Sequence, residues 1–112
     1  MKILVVDDDR MVRECLADIL RDLGCEVQAA ASAEDALELV ASGSAFDLLL
    51  TDMQMTGMDG GELVSLLRGL GLSQPMYVLT GLVNLTSVPG ATGVLYKPVQ
   101  LETLEDVIRT DP

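Results

Sequence analysis

Apolar and polar positions along this chain fall into two alternating rhythms. Short apolar runs occur at residues 3–6 (Ile-Leu-Val-Val), 48–50 (Leu-Leu-Leu), 76–79 (Met-Tyr-Val-Leu) and 94–96 (Val-Leu-Tyr), with a weaker, alanine-rich run at 26–31. Runs this short and continuous read as strands, and the central one at 48–50 as a strand buried on both faces. Between them, apolar residues recur at helical spacing. Val12, Leu16, Ile19, Leu20 and Leu23 form a first stripe that stops at Gly24. Ala33, Ala36, Leu37 and Val40 form a second, entered through Ser32 as N-cap with Glu34 and Asp35 in its first turn, and closed by Ser42-Gly43-Ser44. Leu63, Leu66, Leu67 and Leu70 form a third, preceded by Gly60 and Gly61 and ended by a turn between Gly71 and Pro75. Leu101, Leu104 and Ile108 mark a last helix over residues 100–109.

Strand alternates with helix throughout. That order predicts an α/β domain: a parallel sheet covered by helices on both faces, with right-handed crossovers. One connection breaks the pattern. Residues 81–93 stand where a crossover helix belongs, yet they are short and β-branched and contain Pro89-Gly90, which would break a helix. About one helical turn is the most they can form, and the rest reads as mobile loop. With 112 residues, and no repeat, linker or low-complexity tract, residues 1–112 read as a single domain.

Composition narrows the function classes. Apolar residues make up 49% of the chain, enough for a core, but no run is long enough to span a bilayer and no signal-peptide pattern opens the chain, so the expectation is a cytoplasmic protein that does not enter a membrane. A net charge of −11 argues against nucleic-acid binding and permits a cationic partner or a divalent metal. The absence of His and of a Cys-x-x-Cys pair argues against zinc. Cys15 and Cys25 read as small buried apolar residues. Met53, Met55 and Met58 read as loop packing, Asp59 as a turn or N-cap residue, and residues 110–112 as a solvated tail.

The candidate chemistry lies at the strand ends. The runs finish in Asp7-Asp8, Asp52, Thr80 and Lys97-Pro98. In a parallel sheet these tips share the carboxyl edge, where open α/β sheets build their sites. Three crowded carboxylates repel one another, and a hard divalent cation relieves the conflict. Mg²⁺ fits, with Asp8 and Asp52 as direct ligands, Asp7 on a metal-bound water and the backbone carbonyl of Gln54 as a further donor. Asp52 can then attack phosphorus to form an acyl phosphate. The Lys97 ammonium and the Thr80 hydroxyl would each take one phosphoryl oxygen.

These residues carry a resemblance. Val5-Val6-Asp7-Asp8, the stretch from Asp52 to Gly60, Leu79-Thr80-Gly81 and Tyr96-Lys97-Pro98 resemble, in order and spacing, the receiver domain of bacterial two-component response regulators, and the likeness spans essentially the whole chain. It implies a flavodoxin-like, doubly wound five-stranded parallel sheet of order 2-1-3-4-5. It implies a phosphoacceptor at Asp52, with the phosphoryl group arriving from a histidine of a sensor kinase or phosphotransfer protein. Mg²⁺ is implied at Asp7, Asp8, Asp52 and the Gln54 carbonyl, with Thr80 and Lys97 as switch hydroxyl and lysine. A downstream effector or fused output domain, a switch rather than a turnover enzyme, and a cis Lys97-Pro98 bond are implied as well.

Three departures stand out. Thr56 occupies a position where the family usually has proline. Val94 stands where many members carry a switch Tyr or Phe, and Tyr96, two positions on, is a poor replacement. The helix between the fourth and fifth strands is curtailed or absent, a feature shared with receivers of hybrid histidine kinases and some single-domain receivers. Phosphorylation would then order a loop rather than shift a formed helix. Leu82, two residues past Thr80, offers no hydrogen bond to an attacking water, which points to slow self-hydrolysis. Two alternatives remain at this level: a haloacid-dehalogenase-like phosphatase using Asp7, and a degenerate receiver that only binds partners.

Overall fold

The computed structural model describes residues 1–110; Asp111 and Pro112, read above as tail, lie outside the described residues. In chain order the elements are β1 (Lys2–Val6), α1 (Arg10–Asp22), β2 (Glu26–Ala30), α2 (Ala33–Ala41), β3 (Leu48–Asp52), α3 (Gly60–Gly69), β4 (Met76–Thr80), β5 (Gly93–Tyr96) and α4 (Leu101–Thr110). Thr110, expected in the tail, closes α4. All strand pairs are parallel and the sheet order is β2-β1-β3-β4-β5. This is the helix-covered parallel sheet expected from the alternation, in the flavodoxin-like, doubly wound strand order that the resemblance implies.

Period-two alternation sends each strand's side chains to two cores. Leu4, Val6, Leu49, Met76 and Val78 face a cluster completed by Ala33 and Ala36 of α2 and by Leu63, Val64 and Leu67 of α3. Ile3, Val5, Leu48, Leu50 and Leu79 face the other, completed by Leu16 and Leu20 of α1 and by Leu104 and Val107 of α4. All five residues of β3 are buried, as its unbroken apolar run requires.

The helix stripes differ from expectation on three helices: Val12 of the α1 stripe is exposed, as are residues of the α3 and α4 stripes. Leu66 and Leu70 are exposed, and Val64 is buried in their stead. The reason is where α3 starts. Gly60 and Gly61 do not precede it but form its first turn, so the inward stripe runs through 60, 63, 64 and 67. On α4, Leu101 is exposed and Val107 joins Leu104 in the core. Cys25 is buried as expected, but Cys15 is exposed, because the buried face of α1 passes through Leu16, Ala17 and Leu20.

Gly60 is required by packing. A Cβ there would lie 2.2 Å from the Asp52 carbonyl oxygen, so the start of α3 rests directly on the tip of β3. Asp59 caps the helix: its side chain accepts from Glu62 N–H at 2.8 Å, and the Glu62 carboxylate accepts from Asp59 N–H at 3.2 Å.

No helix forms between β4 and β5. The connection is nonetheless anchored. Val88 is buried in the α2/α3 core, and Leu85 packs against it. The Arg68 guanidinium donates to the carbonyls of Gly90 (2.8 Å), Leu72 (3.0 Å) and Gln74 (2.7 Å). The Tyr96 hydroxyl donates to the Leu85 carbonyl at 2.7 Å. One inserted side chain and two polar ties, Arg68 to Gly90 and Tyr96 to Leu85, thus stand in for a helix.

Candidate functional site

The site follows from strand register. Val6 pairs with Thr51, so the next residues, Asp7 and Asp52, leave the sheet side by side. Asp52 pairs with Leu79, and Leu79 with Leu95, which brings Lys97 two residues past that line. Alternation settles the face. Asp7 continues the row of Ile3 and Val5, Asp52 that of Leu48 and Leu50, and Lys97 that of Leu95, so all three lie toward the α1/α4 side.

The geometry bears this out. Lys97 Nζ lies 2.8 Å from Asp52 Oδ1 and 3.7 Å from Asp7 Oδ2. Asp7 and Asp52 are buried, while Asp8, two residues beyond β1, is exposed. One oxygen from each of the three carboxylates lies within 4.8 Å of the others. Asp7 Oδ1 also accepts from Asp9 N–H at 2.9 Å, and Arg13 donates to the Asp7 carbonyl at 2.8 Å. Thr80, on the adjacent tip, is 1% exposed, and its hydroxyl oxygen accepts from Leu82 N–H at 3.0 Å.

The electrostatics follow from burial and charge. Removal from water pushes the Asp7 carboxyl above the ordinary carboxylate range. The Asp52 and Asp8 charges push the same way, and the Asp9 N–H and Lys97 only partly offset them. Burial works against the Lys97 ammonium as well, but its bonds to Asp52 and Asp7 prevail and raise its pKa above the ordinary lysine value.

The donor set suits a hard divalent cation. Three carboxylates face one ammonium, and the two uncompensated negative charges match such an ion. The donors are all oxygen, which favours Mg²⁺ over the softer metals. Asp7, Asp8, Asp52, Thr80 and Lys97 therefore occupy the tips expected of them.

Three contributors were not legible beforehand. Arg13 braces the turn after β1. Thr56, seen in the sequence only as a missing proline, donates its backbone N–H to Asp8 Oδ2 at 3.1 Å. Glu34 accepts from Met58 N–H at 3.4 Å and so ties the start of α2 to the loop after Asp52. No spacing rule points to a backbone donor in a loop, so only Gly57, which takes φ +82° there, hinted at the loop's shape.

A family model described as the response regulator receiver domain matches residues 3–109. Response regulator protein FleR of Pseudomonas aeruginosa is 38% identical over 96% of this chain and 24% of its own length. The chain spans from about a quarter to about half the length of the curated relatives it matches first. Among solved structures, the chemotaxis response regulator CheY4 of Vibrio cholerae is 33% identical, with a TM-score of 0.84 over 96% of this chain and 95% of that one. Response regulator protein TrrA of Thermotoga maritima, solved in complex with Mg(2+)-BeF, is 29% identical, with a TM-score of 0.87 over 96% of each chain.

Proposed function

We propose that this chain, which belongs to the response regulator receiver domain family, is phosphorylated on Asp52. Receivers of this family are the phosphoacceptors of two-component signalling, and they act as switches rather than as turnover enzymes. The observation that carries the assignment to Asp52 is its carboxylate at the tip of the fully buried β3, 2.8 Å from Lys97 Nζ. The ammonium pairs with that carboxylate and fixes its orientation, and a carboxylate oxygen is the nucleophile that forms an acyl phosphate.

In the step itself, an Asp52 oxygen attacks phosphorus in line with the bond to the donor imidazole. The P–O bond forms as the P–N bond breaks, and the imidazole leaves with the electron pair. Lys97, whose side chain is 32% exposed, can pass from the carboxylate to a phosphoryl oxygen. A Thr80 hydroxyl that accepts from Leu82 N–H can still donate its own proton to another. Mg²⁺ held by Asp7, Asp8, Asp52 and the Gln54 carbonyl would neutralise the remaining charge on the phosphoryl group.

The partner that supplies the phosphoryl group is a phosphohistidine on a sensor kinase or a phosphotransfer protein. An apolar hollow lined by Met11, Cys15, Ile19, Pro98 and Val99 borders Lys97 and gives that partner a surface beside the acceptor. Downstream lies an effector or a fused output domain. We place the chain in the cytoplasm as a single receiver unit over residues 1–112. Among the described residues no helix is long and apolar enough to cross a membrane.

Incubation with acetyl phosphate and MgCl₂, followed by peptide mass spectrometry, tests the assignment. The expected label is on Asp52, absent from Asp52→Asn and without EDTA-resistant residue. Label on Asp7 would point instead to the dehalogenase-like chemistry, and no label under any donor would leave only a binding module.

A further inference from the structure

Asp8 is the odd member of the acidic trio. Asp7 and Asp52 are buried and share Lys97, whereas Asp8 is exposed, so burial does little to fix its carboxylate. Among the described residues, the hydrogen bonds to the Asp8 side chain come from one residue, 48 positions away in sequence: Thr56, through its backbone N–H at 3.1 Å and, at the limit of a hydrogen bond, its hydroxyl at 3.5 Å, both to Oδ2.

The donor is itself held in place. Gly57 turns the chain with φ +82°, Met58 N–H reaches the Glu34 carboxylate, and Gly60 N–H donates to the Met53 carbonyl at 2.9 Å. Asp59 then caps α3. The loop after Asp52 is thus fastened at both ends and presents the Thr56 N–H to Asp8. A carboxylate has about four acceptor positions. One N–H on Oδ2 leaves Oδ1 and a lone pair of Oδ2 for a cation, so the contact orients the ligand without competing for it. A proline at position 56 would abolish this contact, because proline has no N–H.

We infer that Thr56 is a positioning residue for the cation: its backbone N–H fixes the Asp8 carboxylate and thereby sets the affinity of the pocket for Mg²⁺. The inference rests on the metal pocket proposed above. Donors behind a metal ligand typically alter affinity by about 10–100-fold. The exposure of Asp8 and Thr56 puts the expected effect at the lower end, about tenfold.

The test is calorimetric titration of the whole chain with MgCl₂, without any phosphodonor. Thr56→Ala keeps the N–H and should bind Mg²⁺ within about twofold of the wild type. Thr56→Pro removes it and should bind about tenfold more weakly, with thermal melts in EDTA used to confirm that it is folded. Equal affinity in wild type and Thr56→Pro would overturn the inference, as would an equal loss in both variants, which would put the effect in the hydroxyl. Absence of any Mg²⁺ binding by the wild type would overturn the metal pocket itself. A readout independent of Thr56→Pro folding is the Thr56 amide proton in wild-type and Asp8→Ala spectra. It should move upfield when the acceptor is removed, and an unmoved resonance would sink the proposal.

Discussion

Asp7 holds a charge that its surroundings disfavour. It is 2% exposed, next to Asp52 and Asp8, and shares a single ammonium with Asp52. Its pKa in the folded chain is raised, so the folded state takes up a proton at higher pH than the unfolded state does. Without a divalent cation, ionised Asp7 therefore lowers stability at neutral pH, and that penalty fades as pH falls through the raised pKa. Asp7→Asn should accordingly be more stable than the wild type in EDTA at pH 7, by about 1 kcal/mol or a few degrees in Tm. The difference should shrink toward acid pH. Parallel melts from pH 7 to pH 4 decide it: a gap that widened on acidification would contradict the sign. At this scale the sequence was most informative where the residues sit in regular structure. Asp52 and Thr80 end strands, Asp7 and Lys97 directly follow β1 and β5, and a period of two plus the run lengths locates all four. Thr56 and Arg13 act through a loop N–H and a guanidinium-to-carbonyl bond, and neither interaction has a period.

At the scale of elements, the connection between β4 and β5 and the start of α3 do the work that a helix and a longer loop would do elsewhere. The absence of a helix was legible from Pro89-Gly90 and the β-branched run. The burial of Val88 was not, because no strand or helix period tells which of Leu82, Val83, Leu85 and Val88 turns inward. Val88 is 7% exposed, and truncation to alanine leaves space in the α2/α3 core. Val88→Ala should cost about 2 kcal/mol, measurable by urea unfolding with an unchanged m-value. Tyr96→Phe removes only the tie to the Leu85 carbonyl. It should leave Tm within about 2 °C and speed hydrogen exchange in residues 82–86, since an exposed bond of this kind contributes about 0.5–1.5 kcal/mol locally. If exchange there were unchanged, the tyrosine would not be restraining the loop. The stripe on α3 was misplaced for a related reason. Leu66 and Leu70 outrank Val64 in apolarity, but the helix begins at Gly60, where only a hydrogen fits against the Asp52 carbonyl. Gly60→Ala should destabilise by about 1–3 kcal/mol, since inserting a methyl there forces α3 off the tip of β3.

Over the whole molecule, the fold was legible because three signals agree: alternating strand and helix, short apolar runs, and three carboxylates, a hydroxyl and an ammonium at the ends of those runs. What they could not give is how the edge tolerates its own charge. The chain carries a net −11, and three of its carboxylates converge on one ammonium. Any added salt screens the general repulsion, but only a cation bound in the pocket stabilises by mass action. The two effects separate experimentally. MgCl₂ at about 100 times its dissociation constant should add about 2.7 kcal/mol, or roughly 10 °C in Tm, beyond NaCl of the same ionic strength. Asp52→Asn, which removes one ligand and one charge, should lose most of that increment while responding to NaCl as the wild type does. If NaCl matched MgCl₂ degree for degree, the stabilisation would be screening alone. The three tips would then be an acidic edge without a bound ion, and the catalytic role of Asp52 would need a different source of charge neutralisation.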